Sequence, residues 1–431
     1  MTEFKKNDAK VINAWAIFDW ANSAYALVIA TAIFPVYFIN STPELVNVFG
    51  IEIQNSALYT LAVSFSYVLI AFLSPILSGI ADYGGKRMFF LKTFTIIGSI
   101  SCISLYFFQG IPDLWIGTSA FVLASIGFAG SLVFYNAYLP EIVTEDRYDR
   151  VSAKGYAFGY IGSVILLLFI LFMILKPDFF GFEDNSTTPS RIGFVLVGIW
   201  WIGFAQITFK YLPKDSKKKM GSQFLKKGYE EVKMVYGKLK HQINTKRFLW
   251  SFFFYNSGVQ TIIYVATVFA KKELGFGTAE LIGIVLVLQL VAIGGAYFFA
   301  WVSDKRGNKV SLSTMIIIWI VICICAYFVT GKIFFYFLAA MVGLVMGGIQ
   351  SLSRSTYSKL IEKNTKDLTS YFSFYDVLYK LSIVAGTFFF ALAEFLTGNI
   401  RNSILVLAVL FVIGLLILSK VSFNSIRKQV V

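Results

Sequence analysis

Polar side chains interrupt otherwise apolar stretches at a few places, and their spacing sets the chemistry open to them. Asp19, Asn22 and Ser23 fall at i, i+3 and i+4 within residues 15–39, so one helix stripe carries a carboxylate, an amide and a hydroxyl. Asn256 and Gln260 stand at i, i+4, as do Gln350 and Arg354, and Asp376 precedes Lys380 by the same interval. Acid-first is the favourable order for an ion pair within a helix. From a helix start at Tyr371, Lys380 lies about 13 Å deep, near the middle of a ~30 Å hydrocarbon layer, a depth from which a purely structural pair gains nothing. These groups suit binding and coordination. No nucleophile and base pair stands out, so no enzyme activity and no catalytic residue is expected. His241 is the only histidine, Cys102, Cys323 and Cys325 lie in apolar runs, and there is no glycine-rich phosphate loop. Metal sites, cofactors and ATP hydrolysis are therefore not expected.

Membrane helices must position these side chains. The chain of 431 residues is 57% hydrophobic and only 14% charged, with mean hydropathy +0.71, which excludes a soluble protein. Apolar runs occupy residues 14–39, 57–80, 89–108, 114–138, 155–175 and 192–211. A second set covers 248–270, 279–302, 312–329, 334–353, 371–395 and 403–418. The fold class is thus an all-α polytopic membrane protein with twelve transmembrane helices. A carboxylate within a span costs a few kcal/mol unless it meets water or a partner, so a wet, enclosed cavity is expected around Asp19. If Trp15 marks the interface, Asp19 lies only ~6 Å deep, within reach of water and suited to taking a proton.

The formal charge of +14 could suggest nucleic acid, but its placement excludes that. Twelve spans put 31 of the 38 Lys and Arg residues on the side of both termini and 6 on the other, with Lys380 inside a span. The basic side is expected to be cytoplasmic, with no cleaved signal peptide at the N-tail. The chain divides at residues 1–211, 212–247 and 248–431. Residues 213–247 hold 11 basic and 3 acidic residues, and Phe224, Leu225, Val232, Val235, Tyr236 and Leu239 recur at near-helical intervals. This linker is expected to form an amphipathic helix on anionic lipid headgroups.

One turn occurs twice, six spans apart. Asp82, Gly85, Lys86 and Arg87 follow span two, while Asp304, Gly307, Asn308 and Lys309 follow span eight. Asp82 can accept from helix N-terminal amides, and Lys86 and Arg87 can pair with Glu141, Asp146 or Asp149 after span four. Asp82, Lys86, Arg87, Glu141, Asp304 and Arg354 are the expected gating residues. The turn resembles the G-x-x-x-D-x-x-G-[RK]-[RK] loop of the major facilitator superfamily, with Ser78 and Ala300 at its leading glycine position. Gly155, Gly159 and Gly162 give span five a small-residue face for close packing.

Five segments carry a closer resemblance: WAIFDWANSAY (15–25), FYNAYLPEI (134–142), YNSGVQT (255–261), GGIQSLSRS (347–355) and FYDVLYK (374–380). Together they resemble the autophagy-related vacuole effluxer-like family of that superfamily, in its bacterial branch. Fungal relatives are associated with release of amino acids from the vacuole. The resemblance implies two six-helix bundles and alternating access around a cavity lined by spans one, four, seven and ten. It adds Tyr25 and Asn136 to Asp19, Asn22, Ser23, Asn256, Gln260, Gln350, Asp376 and Lys380 as substrate-binding or coupling candidates. It implies a monomeric secondary transporter in a bacterial inner membrane, carrying a small polar metabolite such as an amino acid or short peptide, with proton coupling open. The alternative is a transport-inactive lipid scramblase or receptor on the same fold. Ser257 stands where the family commonly has an acid and Phe18 where a tyrosine is usual. Asp19 is left as the carboxylate to take a proton.

Overall fold

A computed structural model describes residues 5–48, 50–183, 186–216, 224–363 and 365–422. Asn185 of an Asn-Ser-Thr sequon, linker residues 217–223, the side chains of Phe224 and Leu225, and the C-terminal residues 423–431 lie outside that description. Among the described residues twelve helices are long and apolar enough to cross a membrane, and the chain is an integral multi-pass membrane protein. They are Ala9–Ser41, Asn55–Gly84, Arg87–Phe107, Ile111–Ile142, Glu145–Leu175 and Thr188–Tyr211, then Ile243–Leu274, Glu280–Arg306, Asn308–Phe328, Lys332–Leu360, Leu368–Thr397 and Ile400–Ser419. They are spans one to twelve below. Many run past the apolar runs at the end that carries the basic loops, because polar residues there continue a helix once other helices satisfy them. Span ten is the clearest case, passing Arg354 and ending at Leu360.

Aromatic packing fills each half. Phe34, Phe121, Phe194 and Trp201 cluster in spans one to six, with Phe34 stacked on Phe121 at 5.1 Å, and a second cluster gathers Trp15, Phe18, Phe134 and Tyr138. Spans seven to twelve share a core of Phe252, Trp319, Met346, Tyr357 and Phe411. In lipid such contacts hold helices together by dispersion, since the tails are as apolar as the side chains.

Span one differs from a straight helix. It is α-helical over Ala9–Ala24, π-helical over Tyr25–Ala32, and α-helical again over Phe34–Ser41. In the wide turns Ile33 N donates five residues back to the Val28 carbonyl, and Thr31 Oγ1 donates to the Ala26 carbonyl at 2.7 Å. Pro35 cannot continue the pattern, and the Tyr59 hydroxyl reaches the Ala30 carbonyl at 3.0 Å in place of the missing amide. The following loop is not irregular, for Leu45–Val48 and Ile51–Gln54 pair as an antiparallel hairpin.

The linker also corrects an expectation. Its helix, Phe224–His241, turns the apolar residues Val235 and Leu239 into the protein rather than toward headgroups, and both are buried in the core of the second half. Gly228 lies against Ile80 of span two, and Lys238 bonds Asp367 at 2.9 Å at the start of span eleven. The linker helix therefore clasps both halves. Ahead of it, Asp215 accepts from the amides of Met88 and Phe89 at 2.7 and 2.9 Å and caps span three.

Candidate functional site

At the basic end, three aspartates of the first half are held by donors of the second. Asp19 is 5% exposed and Arg354 2%. Arg354 Nη1 donates to Asp19 Oδ2 at 3.2 Å and to Asn136 Oδ1 at 3.3 Å. Its Nε and Nη2 donate to the Ser152 hydroxyl and carbonyl, both at 2.9 Å. The guanidinium lies 4.6 Å from the Trp15 ring, 4.4 Å from Tyr156 and 5.6 Å from Tyr135. Tyr135 in turn donates its hydroxyl to Asp19 Oδ2 at 2.7 Å and stacks on Trp15 at 4.6 Å. Two charges buried this far need every available donor and ring face to offset desolvation, and spans one, four, five and ten all contribute.

The close approach has a sequence cause. A Cβ on Gly155 would strike the Asp19 carboxylate and the Arg354 guanidinium, and one on Gly159 would meet Ser23 Oγ at 2.5 Å. The glycine face of span five thus makes room for the ion pair itself. One turn deeper, the Tyr160 hydroxyl donates to Gln350 Oε1 at 2.6 Å, while at the level of the cage Ser152 Oγ donates to the Ser351 carbonyl at 2.7 Å.

The second aspartate is Asp82, which accepts from the amides of Thr369 and Ser370 at 3.2 and 2.7 Å at the start of span eleven. Arg87 bonds Thr369 Oγ1 at 2.9 Å, pairs with Glu141, and lies 3.6 Å from Asp82. A carboxylate at a helix N-terminus meets both unpaired amides and the positive end of the dipole. Gly85 and Gly307 both adopt positive φ, +61° and +84°, but their ψ angles of 42° and 157° differ, so the repeated turn needs glycine at both places without sharing one backbone conformation. Its side chains diverge. Among the described residues Lys86 pairs with no carboxylate but donates to the Ser216 carbonyl at 3.1 Å, and Asp304 forms a surface pair with Arg150 at 2.5 Å rather than capping a helix. Asp149 pairs with Lys359 at 2.6 Å, not with Lys86 or Arg87, and Asp146 lies 4.0 Å from Arg147.

A matching family model is described as "Vacuole effluxer Atg22 like" and covers residues 7–431. The chain belongs to the vacuole effluxer Atg22-like family. The uncharacterized MFS-type transporter YxiO of Bacillus subtilis is 31% identical over 416 residues, 96% of this chain and 95% of that one. Autophagy-related protein 22-2 of Aspergillus clavatus is 24% identical, covering 87% of this chain and 76% of its own. Among solved structures, the E. coli fucose:proton symporter FucP superposes with TM-score 0.70 at 14% identity, covering 96% and 98% of the two chains. The human organic anion transporter MFSD10 superposes with TM-score 0.71 at 10% identity, covering 96% and 100%. The fold is therefore that of the major facilitator superfamily, with twelve spans, and the relatives are MFS-type transporters.

In this Atg22-like chain the remaining candidates bond mainly within one half, although Ser74 of span two lies beside Asp376. Asp376 and Lys380, 8% and 2% exposed, pair along span eleven. Asn256 Nδ2 donates to Ser382 Oγ at 2.6 Å and Gln260 Nε2 to Asn256 Oδ1 at 3.3 Å. Tyr25 bonds Ser125 at 2.6 Å. Asn22 is buried, and its Nδ2 has no partner among the described residues. Tyr264, about two-thirds of the way along span seven from the basic end, is 39% exposed although Tyr67 and Tyr379 lie within electrostatic reach. An apolar cavity of about 50 Å³ in the second half, lined by Ile262, Phe269, Leu288 and Phe335, presents no polar surface. No group of three or more His, Cys, Asp or Glu among the described residues could hold a metal ion.

Burial is where expectation and structure part. Asp19 lies about 15 Å along a helix that begins at Ala9, and at 5% exposure it sits under the Arg354 cage rather than in a wet cavity. Trp15, Tyr135, Ser152 and Tyr156 were not singled out as site residues. Trp15 and Tyr135 lie in motifs already distinctive for their aromatic and polar content, whereas Ser152 and Tyr156 carry no signal beyond their distance from the glycine face.

Proposed function

We propose that this Atg22-like protein is a secondary transporter of a free amino acid or short peptide, working by alternating access and seen here closed at its basic end. The buried Asp19–Arg354 bond carries the reading. It joins spans one and ten across the two halves, so opening that end must break it and rehydrate both charges. The exposure of Tyr264 between the halves supports a cavity reached from the opposite end. The basic end faces the cytoplasm of a bacterial cell, since the 31 to 6 split of basic residues follows the positive-inside rule.

In the cavity, Lys380 takes the carboxylate of the cargo while Asp376 takes its ammonium, so the ion pair opens for a zwitterion and closes behind it. Asn256, Gln260 and Gln350 supply amide contacts. Coupling to protons runs through Asp19, which can accept a proton only after Arg354 has left it. The protein acts as a monomer, with the basic outer face of the linker helix against anionic headgroups.

Counterflow in proteoliposomes tests this. Labelled amino acids and dipeptides should exchange in the parent protein, and Arg354→Met should lose exchange while still inserting. Failure of every amino acid and dipeptide to exchange, with fluorescent lipids flipping instead, would replace the transporter by a scramblase.

A further inference from the structure

The first repeated turn holds span eleven through Asp82, but in the second turn Asp304 sits in a surface pair, leaving the equivalent junction with span five to other groups. There the acid has changed sides. Asp149, in the first turn of the helix Tyr148–Leu175, is 1% exposed. Its Oδ2 accepts from Ser303 Oγ at 2.8 Å and Lys359 Nζ at 2.6 Å, and its Oδ1 from Asn308 Nδ2 at 2.9 Å. Those donors come from spans eight, ten and nine. Asn308 also donates to Thr356 Oγ1 at 2.9 Å and accepts from Lys359 at 2.7 Å, so the donors are fixed to one another within the second half.

We propose that Asp149 is a second cross-half latch of the basic end, charge-inverted relative to Asp82. At the Asp82 junction the turn supplies the carboxylate and the opposing helix start supplies the donors. At the Asp149 junction the helix start supplies the carboxylate, and the turn, with Lys359, supplies the donors. Both arrangements set a negative charge at a helix N-terminus, the favourable end of its dipole. The consequence is mechanical. Spans five and eight cannot separate until a buried carboxylate gives up three donors, one of them an ammonium, whereas the exposed Arg150–Asp304 pair, with Arg150 71% exposed, holds little.

This rests on the alternating-access reading, and the test separates the two. In a background with Cys102, Cys323 and Cys325 replaced by Ala, Ser23→Cys reports access from beyond the gate to a membrane-impermeant maleimide. Asp149→Asn and Lys359→Met should each raise labelling from the basic side about tenfold and lower it from the opposite side, and Asp304→Asn should leave both unchanged. If Asp149→Asn fails to insert, Lys359→Met alone decides. Parent-like labelling in the Asp149 and Lys359 variants, beside a rise in Asp19→Asn, overturns the latch and leaves alternating access standing. Parent-like labelling in all three removes alternating access as well.

Discussion

Buried polar groups fall into two sets that differ in whom they bind. At the basic end, Asp19, Asp82 and Asp149 of the first half are each anchored by the second, through Arg354, the Thr369 and Ser370 amides, and Lys359. Toward the middle, the bonds of Asp376 with Lys380, Asn256 with Ser382 and Gln260, and Tyr25 with Ser125 stay inside one half, while Tyr160 with Gln350 and Ser74 beside Asp376 are cross-half exceptions. Partners within a half travel together when the halves rock, and partners across them do not. The first set therefore fixes the balance between conformations, and the second keeps its geometry in both, as a binding surface must.

The largest effect should come from breaking the cross-half set at Arg354. Removing one partner of a buried pair leaves the other charge without compensation, at a cost of about 3–5 kcal/mol to the closed state. Arg354→Met is expected to cut transport at least about 100-fold. Adding Asp19→Asn removes the stranded carboxylate, so the double variant should regain part of the loss. Equal activity in the single and double variants, measured by counterflow, would mean that the pair does not act as a unit.

Asp82→Asn comes next. The amide retains one acceptor but no charge, and the N-terminus of span eleven loses about 1–2 kcal/mol, a five- to thirtyfold shift between states. Maleimide labelling from the basic side should rise while insertion stays normal. A variant that labels as the parent does would reduce this turn to a topology signal.

The within-half set should respond in the opposite way. Lys380→Ala is expected to weaken substrate binding about tenfold, the loss of one charge-assisted bond, and to leave basic-side labelling unchanged. Altered labelling with unaltered affinity would move Lys380 into the gate and erase the distinction.

Much of this was legible because lipid makes polar residues conspicuous. Asp19 and Arg354 stand out in apolar surroundings, and periodicity alone pairs Asp376 with Lys380 and Asn256 with Gln260 along one helix. Partners on different helices were not legible, since periodicity assigns a residue to a face without saying which helix covers it. Asp149 is the instructive case: nearness in sequence to Glu141 suggested Lys86 or Arg87, and three helices of the other half hold it instead. The burial of Asp19 was not legible for a related reason, since Tyr135 and Arg354 cover it from other spans, and span one also starts before its apolar run. Lys10 and Asn13 stop the apolar run but not the helix, which Asp8 caps through the Lys10 amide at 2.7 Å.

The linker should give the smallest effect, because it touches both halves from outside the spans. Burial pushes Glu231 up to about 7, reinforced by its hydrogen bond to Asp367 and by the negative charges of Asp367 and Asp82, while Lys238 works against the rise. Burial alone would push Asp367 up too, but the bonds from Glu231 and Lys238 outweigh it and hold that carboxyl below its usual range. One proton is thus shared and resides on Glu231. A carboxyl raised in the docked state and ordinary when undocked contributes its stabilisation in full below about pH 4.5, and loses it as pH rises through about 7. Hydrogen exchange of residues 226–241, corrected for intrinsic rate, should therefore quicken a few-fold between pH 6 and 8. Glu231→Gln keeps a neutral donor to Asp367 at every pH, so its exchange should be slow and flat over that window. A parent profile as flat as that of the variant would show that the clasp ignores pH, and a rise of basic-side labelling in step with exchange would show that undocking the linker also loosens Asp82 from span eleven.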